Sequence, residues 1–276
     1  MATKNNISDI AQKVNYLVDV PLIINANIIE YDISKANITM LYSYGMISKE
    51  EYEWFLRMDK MTREISIGRR MLDDDNKLSE EGKKINACIK EGIAKAKSML
   101  LEANNVPLES IIRIANDAVY INGGLLPIRD FDINNNGVIV HFKSDKVYNM
   151  MLNLRNITIF IMDNPMTDTI DVDVKGINDR LLPKHEPFLE FICNTITDMQ
   201  RSSKESALYA FNDFYNQYVN LNLPIEYYRE FNQDSMYKIK GTAYLMDNVT
   251  GVDKSLLDIE CNLTILRQLY AIILDL

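Results

Sequence analysis

Ile111-Ile112-Arg113-Ile114-Ala115-Asn116-Asp117-Ala118-Val119-Tyr120-Ile121 is the stretch on which the fold turns. Two apolar, largely β-branched runs flank a small Asn-Asp break, which predicts a hairpin of short strands with Asp117 at or beside its tip. A long helix leads into it. Ser79 is placed to cap that helix, Glu80 and Glu81 sit in its first turn, and Ile85, Ile89, Ile93, Ala96 and Leu100 recur at helical spacing to form one buried stripe. Lys83, Lys90 and Lys97 recur every seventh residue, so they read as a solvated outer stripe. Further upstream, Leu22 to Tyr31 is a β-branched strand ending at Asp32, and Ser48 with Glu51 forms a capping box that opens a helix from about Lys49 towards Lys60.

Downstream, strands are expected around Val138–Phe142, Ile157–Met162 and Thr169–Val174, separated by Asn- and Asp-rich turns. The remainder reads as helical: Glu186–Gln200, then Ser203–Asn222 opened by a capping box at Ser202 and Glu205, and a last helix from Lys254 to Leu274. A loose helical pattern also covers Ala11–Val20 before Pro21 breaks it. Leu208, Phe211, Phe214, Tyr215 and Tyr218 share one face of the second of these helices and read as core, and Tyr227 and Tyr228 as packing residues.

The chain has 276 residues, 47% of them hydrophobic and 25% charged, which is ordinary globular usage with enough length for a sizeable core. No apolar run approaches the roughly 20 residues of a membrane helix, and the start lacks the pattern of a secretory signal, so an intracellular protein with no membrane partner is expected. Cys88, Cys193 and Cys261 are too scattered for a disulfide framework or a zinc motif. The net charge of −9 confines any nucleic-acid footprint to a local patch. Arg201, Lys204, Arg229, Lys238 and Lys240 lie in the C-terminal region, and nothing in the sequence orders them into one surface. With only His141 and His185, chemistry falls to carboxylates. Asp132-Ile133-Asn134-Asn135-Asn136-Gly137 begins like a calcium loop, but its twelfth position is Lys143 rather than a bidentate Glu, so it reads as an Asn-rich hairpin turn.

Three segments carry the candidate site. Tyr31-Asp32-Ile33-Ser34-Lys35-Ala36-Asn37 puts an aspartate where an apolar strand turns towards a helix; Lys60 to Arg70 is cationic; Asp117 sits in its hairpin. Two carboxylates at neighbouring strand ends can hold a pair of divalent ions, and cations nearby can neutralise triphosphate oxygens. In this order the segments resemble motifs A, B and C of the palm of template-directed polymerases, most closely the family B DNA polymerases, whose motifs read DxxSLYPS, KxxxNSxYG and YGDTDS. The resemblance covers about residues 22–145.

It implies an α+β fold: an antiparallel palm sheet with packed helices over 1–180, reduced fingers inserted at about 46–104, and a mainly helical, thumb-like region over 181–276. It further implies a nucleotidyltransferase that extends a primer–template with nucleoside triphosphates, using Mg²⁺ or Mn²⁺. Asp32 and Asp117 would be the catalytic metal ligands and Ile33 a backbone contributor to that site. Lys60, Arg63, Asn37 and Gly68 would lie along the bound nucleotide. The sequence departs from the motifs at Asn37, where an aromatic ring normally excludes ribonucleotides, at Glu64, Ile65 and Ile67 within motif B, and at Ala115 in motif C. The alternative expectation is a palm-like subunit without catalysis, or one piece of a split enzyme, bound to a larger replication or transcription protein.

Overall fold

In the computed structural model the described residues are 16–123, 128–154, 157–164, 166–231, 236–239, 242–245, 253–257 and 259–275. They form an α+β protein of two compact units, Met1–Asp19 with Asn27–Val147, and Val20–Ala26 with Tyr148–Leu276. The chain therefore passes between units at residues 19/20, 26/27 and 147/148. The division falls at Val147 rather than near residue 180, because the strands expected at Ile157–Met162 and Thr169–Val174 belong to the second unit's own sheet.

The first unit is built on a six-stranded sheet in the order β1-β4-β5-β3-β7-β6, comprising β1 (Tyr16–Leu17), β3 (Ile28–Ile33), β4 (Ile111–Ile114), β5 (Ala118–Asn122), β6 (Phe131–Asn135) and β7 (Val138–Tyr148). Tyr16 and Leu17 pair with Ile114 and Arg113, so the expected helix over 11–20 is instead a two-residue strand followed by irregular chain at 18–20, and 11–15 lie outside the described residues. The Leu22–Tyr31 run divides into β2 (Leu22–Ile23) and β3, with Asn25 between them at φ 53°. Among the described residues four helices accompany the sheet: α1 (Ala36–Ser43), α2 (Lys49–Leu56), α3 (Lys60–Arg70) and α4 (Glu80–Ala103). The Ser48–Glu51 capping box and the Ser79 cap form as the sequence predicts, with the Ser79 hydroxyl accepting from Gly82 N–H at 2.8 Å. The stripe Ile85, Ile89, Ile93, Ala96, Leu100 is buried in one core with Ile29, Tyr31, Ile33, Val119 and Val140. Lys97 departs from its expected solvated stripe, being only 2% exposed, whereas Lys83 and Lys90 are in solvent.

The second unit packs α5 (Leu182–Arg201), α6 (Lys204–Val219) and α7 (Glu260–Asp275) with a sheet ordered β10-β9-β8-β2, in which β8 is Met150–Leu154, β9 Ile157–Asn164 and β10 Thr169–Lys175. Helix α6 is capped by Ser203, whose hydroxyl accepts from Ser206 N–H at 3.2 Å, instead of by the predicted Ser202–Glu205 box. Phe211, Phe214 and Tyr218 are buried, as expected of the aromatic stripe. Tyr228 is buried with its hydroxyl donating to the Tyr218 carbonyl, and Tyr227 stands edge-on to Phe214. The region is not wholly helical: β11 (Met236–Ile239) and β12 (Thr242–Leu245) pair antiparallel, and the last helix begins at Glu260, not Lys254. No helix among the described residues is long and apolar enough to cross a membrane.

Candidate functional site

Strand β3 carries Ile29, Tyr31 and Ile33 into the helix-packed core, so by alternation Glu30 and Asp32 occupy the opposite face of the sheet. Asp32 is the register partner of Ala118, and the next residue's N–H, that of Ile33, donates to the Asp117 carbonyl at 2.9 Å. The two sequence-predicted aspartates therefore stand at neighbouring strand ends, with Asp32 half-buried within the ladder and Asp117 exposed in the turn just outside it. Glu30, two residues before Asp32, is buried and accepts from the Tyr120 hydroxyl at 2.8 Å, with Lys146 at 3.8 Å from its second oxygen.

Beyond β3 the chain turns at Lys35, which holds a left-handed conformation (φ 55°, ψ 41°), and enters α1 through Thr39 N–H to the Lys35 carbonyl. This turn sets Asn37 one helical step further on, where its side-chain amide donates to the Glu64 carboxylate of α3. Arg63 is buried beside it, its Nε 3.5 Å from Glu64 Oε1, an ion pair without hydrogen-bond geometry. Asn37 and Arg63 thus meet through Glu64. Lys60 is exposed at the first position of α3, after the Asp59 cap, and Gly68 has open space where a side chain would begin.

A cavity of about 1000 Å³ lies along α4, with Asn37, Lys90, Lys97, Ser98, Asn116 and Asp117 on its walls; Lys60, Arg63 and Gly68 do not line it. Lys97 reaches from α4 to the β4–β5 turn and donates to the carbonyls of Ala115 at 2.8 Å and Asn116 at 3.1 Å. Burial pushes its pKa down to about 8 against the opposing pull of Asp117. Burial likewise raises the Tyr31 hydroxyl to about 12, with Arg129 acting the other way.

Next to β3, Ser34 N–H donates to the His141 carbonyl at 2.8 Å. The His141 ring lies between two carboxylates, Nδ1 2.7 Å from Asp132 and Nε2 3.3 Å from Asp130, and the Ser144 backbone N–H holds Asp130 below its ordinary range. The sequence reading passed over this cluster, although the register contained it: Asn136 and Gly137, both at positive φ, make the turn, and counting outward from Asn135 opposite Val138 brings Asp132 opposite His141.

Among the described residues no group of three or more His, Cys, Asp and Glu side chains is arranged to hold a metal ion. Asp32 and Asp117 carry hard oxygen donors of the kind Mg²⁺ and Mn²⁺ take.

Fold and site define a two-unit α+β protein in which Asp32, at the end of β3, and Asp117, in the turn before β5, stand at neighbouring strand ends of an antiparallel sheet. The family model described as Bacteriophage PBS1 gene 130 protein matches residues 4–275, and the chain belongs to that family. No curated protein matches it.

Proposed function

We propose that the first unit is a reduced polymerase-type palm and that the protein is a phage nucleotidyltransferase, adding nucleotides to a 3′-hydroxyl on a template. The observation that supports this most is the Ile33 N–H to Asp117 carbonyl bond, which ties the end of β3 to the β4–β5 turn and brings two aspartates to adjacent strand ends. In this reading Asp32 and Asp117 hold Mg²⁺ or Mn²⁺, which when bound supplies charge neutralisation at the attacking and leaving oxygens. Lys97 holds the turn that carries Asp117. Asn37, without a ring, leaves room for a 2′-hydroxyl, so ribonucleotides enter as readily as deoxyribonucleotides.

Primer extension on a recessed duplex, with Mg²⁺ or Mn²⁺ and with each nucleotide class in separate lanes, tests the proposal. Extension by the wild type that disappears in both Asp32→Ala and Asp117→Ala supports it, and extension that survives either change refutes it.

A second reading, a palm-like assembly subunit without catalysis, is favoured by the α3 segment. The residues that would meet a triphosphate are turned to structural work there, with Arg63 buried and Asn37 bound to Glu64. It predicts no extension under any condition and a stable complex with a larger replication or transcription protein.

A further inference from the structure

We infer that the outer edge of β10 and the adjoining flank of α5 form a docking groove for an extended, basic segment of a partner protein. This stands apart from the nucleotide reading, since every residue involved lies in the second unit. Strand β10 is an edge: its described pairing is with β9 alone, over Thr169–Lys175. Alternation sends Ile170, Val172 and Val174 to one face and Asp171 and Asp173 to the other. The apolar face borders a groove of about 670 Å³, floored by Leu189 and Cys193 of α5. Val172 keeps 42% of its surface exposed within it.

The rim is acidic. Glu186 and Glu190 stand one turn apart on α5, exposed and without an ion pair among the described residues. Like charges at this spacing weaken an isolated helix, so they are poorly placed unless something cationic meets them. Pro187 adds a second feature: it has no N–H to give to the carbonyl of Pro183, a residue that lines the groove.

These features select the occupant. Side chains four apart on a helix are separated by about 6 Å along its axis and alternate side chains on a strand by about 6.6 Å, so Lys or Arg at every second position of an added strand match the spacing of Glu186 and Glu190. Their aliphatic stems cover Ile170 and Val172 while the charged heads reach the carboxylates. The strand's backbone pairs with the open edge of β10, which gives affinity independent of sequence.

The test uses the full chain and a fluorescent synthetic peptide of alternating Lys and Thr as long as β10. Controls are the same peptide with Glu for Lys and a Lys/Leu peptide patterned as an amphipathic helix. The expected result is saturable, salt-weakened binding of the Lys/Thr peptide alone, with slowed hydrogen exchange at the β10 amides. Binding should be about tenfold weaker in Glu186→Gln/Glu190→Gln, each lost charge pair being worth a few-fold. Both glutamates are exposed and make no ion pair among the described residues, so this variant keeps its circular dichroism spectrum. Equal binding by the variant, preference for the helical peptide, absence of saturable binding, or self-association of the chain that Val172→Lys dissolves would each overturn the proposal.

Discussion

Replacing Lys97 by Met tests whether a charged ammonium is held inside the first unit. Lys97 is nearly solvent-free and its pKa is about 8, against 10.5 for a solvated lysine. Below pH 8 both folded and unfolded chains carry the proton, and folding bears the full penalty of burying the charge. Between pH 8 and 10.5 the folded protein releases the proton while the unfolded chain still holds it, so the unfolded state binds more protons and stability rises with pH. From pH 7 to 10 the wild type gains on the order of 2–3 kcal/mol from this group, and Lys97→Met gains nothing. At pH 7 the substitution relieves the buried charge but leaves the Ala115 and Asn116 carbonyls without their donor, at roughly 1–3 kcal/mol each, so the two effects offset and the neutral-pH difference is small. Tyr31, Tyr44 and Cys88, whose pKa values are raised by burial, lower stability at alkaline pH, but identically in both proteins, and they cancel on subtraction. Urea unfolding followed through Trp54, the one tryptophan and a residue of the first unit, reports on the right unit. A wild-type minus variant difference that stays flat from pH 7 to 10 would refute the reasoning.

Three further substitutions probe the elements around the site. Lys35→Gly relieves the left-handed turn after Asp32 and should raise stability by roughly 0.5–1 kcal/mol in urea melts. Gly82→Ala would set a Cβ 1.9 Å from the Met71 carbonyl and lower the melting temperature of the first unit, whereas Gly68→Ala meets nothing within 4 Å and should stabilise α3 by about 0.5–1 kcal/mol. In the second unit, Arg201 clasps the buried Asp163 through Nε and Nη2 and Asp168 through Nη1. Arg201→Met should lower the melting temperature, and adding Asp163→Asn should recover part of the loss by removing the stranded charge; no recovery would mean the clasp acts through packing alone.

Helices and strands whose signal is local were legible in the sequence. The Ser79 cap, the five-residue apolar stripe of α4, the Ser48–Glu51 box and the hairpin around Asp117 all depend on neighbours within a few residues, and each formed. Elements lacking that signal were passed over: β8 reads Met-Met-Leu-Asn-Leu, with no β-branched residue, and is a strand because β9 and β2 flank it. Lys97 shares a heptad with two solvated lysines, and only the tertiary position of the β4–β5 turn decides that it is buried. The same limit applies to the site. Adjacency of Asp32 and Asp117 follows from pairing β3 with β5, which the motif order suggested, while the pairing of Asn37 with Glu64 needed the angle between α1 and α3, which no local pattern encodes.

The three passages of the chain between units bear on how the protein is made. Leu22 and Ile23 are made early, yet their partners Leu152 and Met151 are translated only after every strand of the first sheet has been synthesised. During synthesis residues 20–26, which belong to the second unit, therefore wait for a strand not yet translated. A gene split at codon 147 would therefore deliver a second fragment missing one strand of its sheet, and complementation between the halves would require the first fragment to donate it.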